Sequence, residues 1–70
     1  MRKIEAHIAG TLSRVAVAVG DRVAAGDTIV VIESMKMEMP IEADTDGTIV
    51  EIRCEEGQPV EEGDVLVVLR

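Results

Sequence analysis

Glu33-Ser34-Met35-Lys36-Met37-Glu38-Met39-Pro40 is the stretch on which the reading of this chain turns. It holds a single lysine between two methionines, just past the middle of the sequence. The apolar run Thr28-Ile29-Val30-Val31-Ile32 leads into it and Ile41-Glu42-Ala43 leads out. Residues 4–33 slide onto 41–70 without a gap. Ile4-Glu5-Ala6 returns as Ile41-Glu42-Ala43, Gly10-Thr11 as Gly47-Thr48 and Gly20 as Gly57. Val23 returns as Val60, Gly26-Asp27 as Gly63-Asp64 and Val30-Val31 as Val67-Val68. Residues 34–40 have no counterpart in this alignment. The sequence therefore predicts one domain over residues 1–70, built from two copies of a unit (4–33 and 41–70) with a lysine-bearing hairpin (34–40) between them.

Working outward, Lys3–Ile8 alternates apolar and polar residues, as a strand with one buried face does. Thr11–Val19 is a second extended segment, and Gly20-Asp21 marks a turn. Arg22-Val23 is brief, Ala25-Gly26-Asp27 turns again, and Thr28–Glu33 is a continuous apolar run of strand length. The second copy repeats the order through Met37–Ala43, Thr48–Cys54, Gln58–Val60 and Val65–Leu69. About eight short strands punctuated by Gly and Asp are the signature of an all-β sandwich or barrel. Positions apolar in both copies give the expected core: Leu12/Ile49, Val15/Ile52, Val17/Cys54, Val23/Val60, Ile29/Leu66, Val31/Val68 and Ile32/Leu69. The pairing implies a quasi-two-fold relation, with two sheets facing each other across these residues.

Composition narrows the possibilities. Phe, Tyr and Trp are absent, so aliphatic residues and Met must fill the core, and abundant Val favours strands. There is no apolar run of about 18 residues and no basic leader before a hydrophobic block, so the chain is expected to be soluble and cytoplasmic. Cys54 is the only cysteine, which excludes an intrachain disulfide and a cysteine metal cage. Its repeat partner is Val17, so a small buried hydrophobe is the expected role. His7 is also alone, and reads as a surface residue rather than a ligand. Residues 1–40 carry five acids and five bases, whereas 41–70 carry nine acids and two bases, so the net charge of −7 arises wholly from the second part. That balance argues against nucleic acid and anionic membranes as partners. It either steers the chain toward basic docking surfaces or simply keeps a small protein soluble.

If Thr28–Glu33 pairs with Met37–Glu42, Met35-Lys36 falls at the tip of a hairpin with its amine in water. At this point the chain resembles the biotinyl/lipoyl carrier domains, whose attachment loop reads Glu-Ala-Met-Lys-Met. The resemblance runs from Ile4 to Leu69 and includes the Gly-Asp turns, the loop and the length. It implies a flattened β-barrel (a barrel-sandwich hybrid) of two four-stranded antiparallel sheets, with the lysine hairpin at one end and the termini at the other. It implies further that a biotin protein ligase attaches biotin to Lys36, recognising Glu33, Ser34, Met35 and Met37. Ser34 departs from the family, where Ala is usual.

Lipoyl domains typically place Asp before the lysine and commonly Ala after it. Met on both sides therefore favours biotin over lipoate as the attached group. The two copies align without the inserted thumb of one acetyl-CoA carboxylase class. The thumbless carriers of propionyl-, methylcrotonyl-, pyruvate- or urea-type carboxylases, and the short free-standing attachment proteins, are the more similar. The resemblance implies a non-catalytic carrier that shuttles carboxyl groups between a biotin carboxylase and a carboxyltransferase, with no catalytic residue and no metal of its own. An alkylammonium is protonated and a poor nucleophile at neutral pH, so a ligase must supply deprotonation and an activated acyl group. Two alternatives stay open: a lipoyl carrier, and an unmodified structural or adaptor barrel.

Overall fold

The computed structural model describes residues 1–70 and contains eight β-strands and no helix. The strands are β1 (Arg2–Glu5), β2 (Gly10–Val15), β3 (Arg22–Val23), β4 (Thr28–Ser34), β5 (Met37–Glu42), β6 (Gly47–Ile52), β7 (Pro59–Val60) and β8 (Val65–Leu69). They form two four-stranded sheets ordered β1-β8-β6-β3 and β5-β4-β2-β7. Every pairing is antiparallel. The sequence overran two ends: β2 stops at Val15 and β6 at Ile52, short of Val19 and Cys54.

The two sheets are the same sheet twice. Ile4 opposite Val67 in β1–β8 is matched by Ile41 opposite Val30 in β5–β4, at the offset of the sequence repeat. Ile49 opposite Leu69 is matched by Leu12 opposite Ile32, and Arg22 opposite Thr48 by Pro59 opposite Thr11. Even the irregularities repeat. The register slips at Ser13 in β2 and at its counterpart Val50 in β6, and at Ile29 in β4 and its counterpart Leu66 in β8.

Those bulges correct the expected core. One extra residue in a strand reverses which side chains face inward beyond it. Ile29 and Val30 are consequently both buried, as are Leu66 and Val67, while Val68 is buried outside the core cluster. Val30 and Val67, fully buried, lay outside the expected core, as did Ile4/Ile41 and Ala6/Ala43, although each is apolar in both copies. Leu12/Ile49, Val23/Val60, Ile29/Leu66 and Ile32/Leu69 are buried as pairs, and Cys54 joins the core. Val15, Val17, Val31 and Ile52 are only half-buried. Burying each core aliphatic contributes about 1.5–3 kcal/mol, and no buried side-chain polar atom lacks a partner.

The Gly-Asp turns show why those two residues recur together. In Ala24-Ala25-Gly26-Asp27, the Asp27 N–H donates to the Ala24 carbonyl (3.0 Å) and the Ala24 N–H donates to Asp27 Oδ2 (2.8 Å). Gly26 takes φ +94° in between, which a Cβ would penalise. Its N–H reaches across to the Ala43 carbonyl at 2.8 Å. Gly63-Asp64 repeats each bond, with Gly63 at φ +94° donating to the Ala6 carbonyl at 2.9 Å.

Arg2 lies opposite Leu69, so the two chain ends are neighbours, in the sheet that does not contain the β4–β5 hairpin. The repeat carries the tip of that hairpin onto the place where β8 ends and β1 begins. An exposed ion pair from Arg2 Nη2 to Asp44 Oδ2 (2.6 Å) ties β1 to the segment after β5. This guanidinium holds the Asp44 carboxyl below the usual carboxylate range.

Candidate functional site: the lysine hairpin

β4 and β5 pair from Thr28/Glu42 to Ser34/Met37, leaving Met35 and Lys36 as a two-residue turn. Both have positive φ, +53° and +64°, and they are the only non-glycine residues that do. That is the type I′ geometry, which matches the twist of a hairpin and normally selects Asn-Gly. With side chains larger than glycine's, left-handed backbone costs roughly 1–2 kcal/mol per residue. The turn holds because β4 is paired on both flanks, Ser34 to Met37 on one side and Glu33 to Thr11 on the other. Gly10 lets β2 come that close: a Cβ there would meet the Glu33 carbonyl and stand 2.8 Å from Ile32 Cγ2.

Each residue singled out in the sequence falls on this hairpin. Glu33 is exposed on β4, Ser34 is half-buried at its end, and Lys36 is exposed at the tip. Met35 and Met37 are 92% and 62% exposed. The molecule's two ion pairs, Arg2–Asp44 and Arg53–Glu51, do not involve Lys36. Serine suits position 34, where the flanking pair Ser34/Met37 closes the ladder and only a small side chain is partly covered.

Two further hairpin residues, Met39 and Glu38, lie outside the set that the sequence reading assigned to the site. Met39 lies opposite Ile32 and shares a face with Met37 and Ile41. Exposure along that face climbs from Ile41 (4%) through Met39 (37%) and Met37 (62%) to Met35 at the turn (92%). The methionines thus continue the core face of the sheet beyond the barrel that would cover it. The period-two spacing of Met37, Met39 and Ile41 was the available signal. Glu38 stands directly opposite Glu33, a like-charge pair at the base of the tip. The register of a hairpin with a two-residue turn was enough to find it.

Elsewhere the molecule offers little chemistry. No group of three His, Cys, Asp or Glu side chains is placed to hold a metal ion. His7 is exposed in a shallow open groove with Lys3, Glu5, Glu42 and Asp44. A second open groove is lined by Ser13, Arg14, Val31 and Glu38. Cys54 is 8% exposed, and burial pushes its thiol up. What the arrangement can do is present one amine, on a two-residue turn, between uncovered thioethers.

Comparison with known proteins bears on that arrangement. The Biotin_lipoyl family, described as "Biotin-requiring enzyme", matches residues 2–69. The chain is similar to the biotin/lipoyl attachment protein of Bacillus subtilis (strain 168), 44% identical over 66 residues, which are 94% of this chain and 90% of that protein. It is 42% identical over 67 residues to the biotin-dependent acyl-coenzyme A carboxylase alpha3 subunit of Mycobacterium leprae. That match covers 96% of this chain and 11% of the subunit. Among solved structures, the urea carboxylase of Kluyveromyces lactis superposes with a TM-score of 0.92 at 35% identity, over 99% of this chain and 6% of the carboxylase.

Proposed function

The chain belongs to the biotin/lipoyl attachment family, and from that premise we propose that it is a biotin carboxyl carrier whose biotin is joined to Lys36. The observation that carries the assignment of Lys36 is its place at the exposed two-residue turn, flanked by two exposed thioethers. The only other lysine, Lys3, lies within β1.

The residues present fit a covalently held group. An amide needs a reachable amine and open space around it, and Lys36 has both. The chain holds no base, acid and nucleophile set that could make the bond itself, so the proton is lost and the acyl group activated on a biotin protein ligase. Biotin held there would supply the carboxyl-carrying chemistry between a biotin carboxylase and a carboxyltransferase. The barrel's part is position and reach. The type I′ turn fixes where the arm leaves the protein, and Glu33, Ser34, Met35 and Met37 form the surface that a ligase reads. No helix is long and apolar enough to cross a membrane. The acceptor substrate belongs to the partners, and the carboxylase relatives extend far beyond the segment matched.

The test is to incubate the purified protein with ATP and either biotin and a biotin protein ligase or lipoate and a lipoate ligase. Intact mass and a streptavidin gel shift read the result. One biotinyl group per chain is expected from the first mixture. Lipoyl addition alone would make it a lipoyl carrier, and no addition from either would leave an unmodified adaptor barrel.

A further inference from the structure

We propose that the thioethers of Met35 and Met37 are oxidation sites, and that their conversion to sulfoxides blocks acylation of Lys36; the second half rests on the carrier reading above. The three hairpin methionines differ sharply in access, with Met35 at 92%, Met37 at 62% and Met39 at 37% exposure. The remaining methionine, Met1, is 91% exposed but sits at the chain start, and the one thiol, Cys54, is 8% exposed. An oxidant arriving from solvent at this end of the molecule therefore meets the sulfurs beside Lys36 before any other oxidisable group there.

The reaction needs a hydroperoxide as co-reactant. A sulfur lone pair attacks the outer peroxide oxygen, the O–O bond breaks and the S–O bond forms. The leaving oxygen takes the proton and departs as water or an alcohol. Sulfur loses two electrons and the peroxide gains them. An apolar, flexible side chain becomes a polar and chiral one. A partner surface shaped for thioethers must then desolvate a sulfoxide without a prepared donor, which is costly. Because Met35 and Met37 lie beyond the barrel, the change falls on docking and spares the core. Methionine sulfoxide reductases reverse it.

The experiment is graded treatment of the full chain with hydrogen peroxide, peptide mapping, and then the initial rate of biotin transfer by a biotin protein ligase. Met35 and Met37 are expected to oxidise ahead of Met39, with Met1 as an exposed reference. The transfer rate is expected to fall about tenfold at unchanged melting temperature, and to return after treatment with both sulfoxide reductases. Oxidation of Met39 as fast as Met35 would overturn the proposal, as would equal transfer rates before and after oxidation. A lower melting temperature tracking the rate loss would also overturn it, by placing the effect in the fold. Reduced protein that takes no biotin would refute the carrier reading and this proposal with it, whereas equal transfer refutes this proposal alone.

Discussion

Met35 and Lys36 carry a backbone conformation that their side chains oppose, and their residue types give no hint of it. Asn-Gly or Asp-Gly would have announced a type I′ turn; Met-Lys does not. The conformation is imposed by register: once Ser34 lies opposite Met37, two residues must reverse the chain with the hairpin's twist. Glycine at position 35 would relieve the penalty on its Cβ while giving up almost no burial, since Met35 is 92% exposed. Met35→Gly is therefore expected to stabilise the fold by about 1 kcal/mol. For a chain of this size, that raises the melting temperature by roughly 4–8 °C. A calorimetric scan in which the variant melts at or below the parent temperature would show that the turn carries no such strain.

At the scale of elements, turns and hairpin were legible and bulges were not. Gly26-Asp27 and Gly63-Asp64 could be read as turns because glycine and a short carboxylate each do a distinct job there. One accepts φ +94°, and the other's side chain takes the N–H three residues back, 2.8 Å away for Asp27 and 2.9 Å for Asp64. Gly26→Val is expected to cost about 1–3 kcal/mol, the usual range for a residue forced into a sparsely populated region. No neighbouring atom lies within 4 Å of the new Cβ, so the loss would be conformational rather than steric. Ala25→Ser, one residue earlier, is expected to be neutral, and thermal melts of the two variants compare them directly. Equal melting temperatures would contradict the turn assignment. The bulges at Ser13, Ile29, Val50 and Leu66 left no such mark, because an extra residue in an apolar strand looks like any other. The expected core accordingly took in Val31, which is half-buried, and left out Val30, which is fully buried.

At the scale of the molecule, the repeat explains why so short a chain could be read at all. Two sheets with matching registers and matching bulges bury a shared aliphatic core, and a sequence repeat exposes that symmetry before any coordinate does. The same symmetry singles out the hairpin. The β4–β5 turn lies outside the registers that the two sheets share, whereas Met39 and Pro40 still match Arg2 and Lys3 of β1. What the repeat could not reveal was how far the methionine face extends past the barrel, which depends on three-dimensional coverage. The central claim is that this framework holds Lys36, and no other amine, out for another protein to acylate. Lys3→Arg and Lys36→Arg, each incubated with a biotin protein ligase, ATP and biotin and weighed intact, test it most directly. The account predicts one biotinyl group on Lys3→Arg and none on Lys36→Arg; a biotinylated Lys36→Arg chain would contradict it.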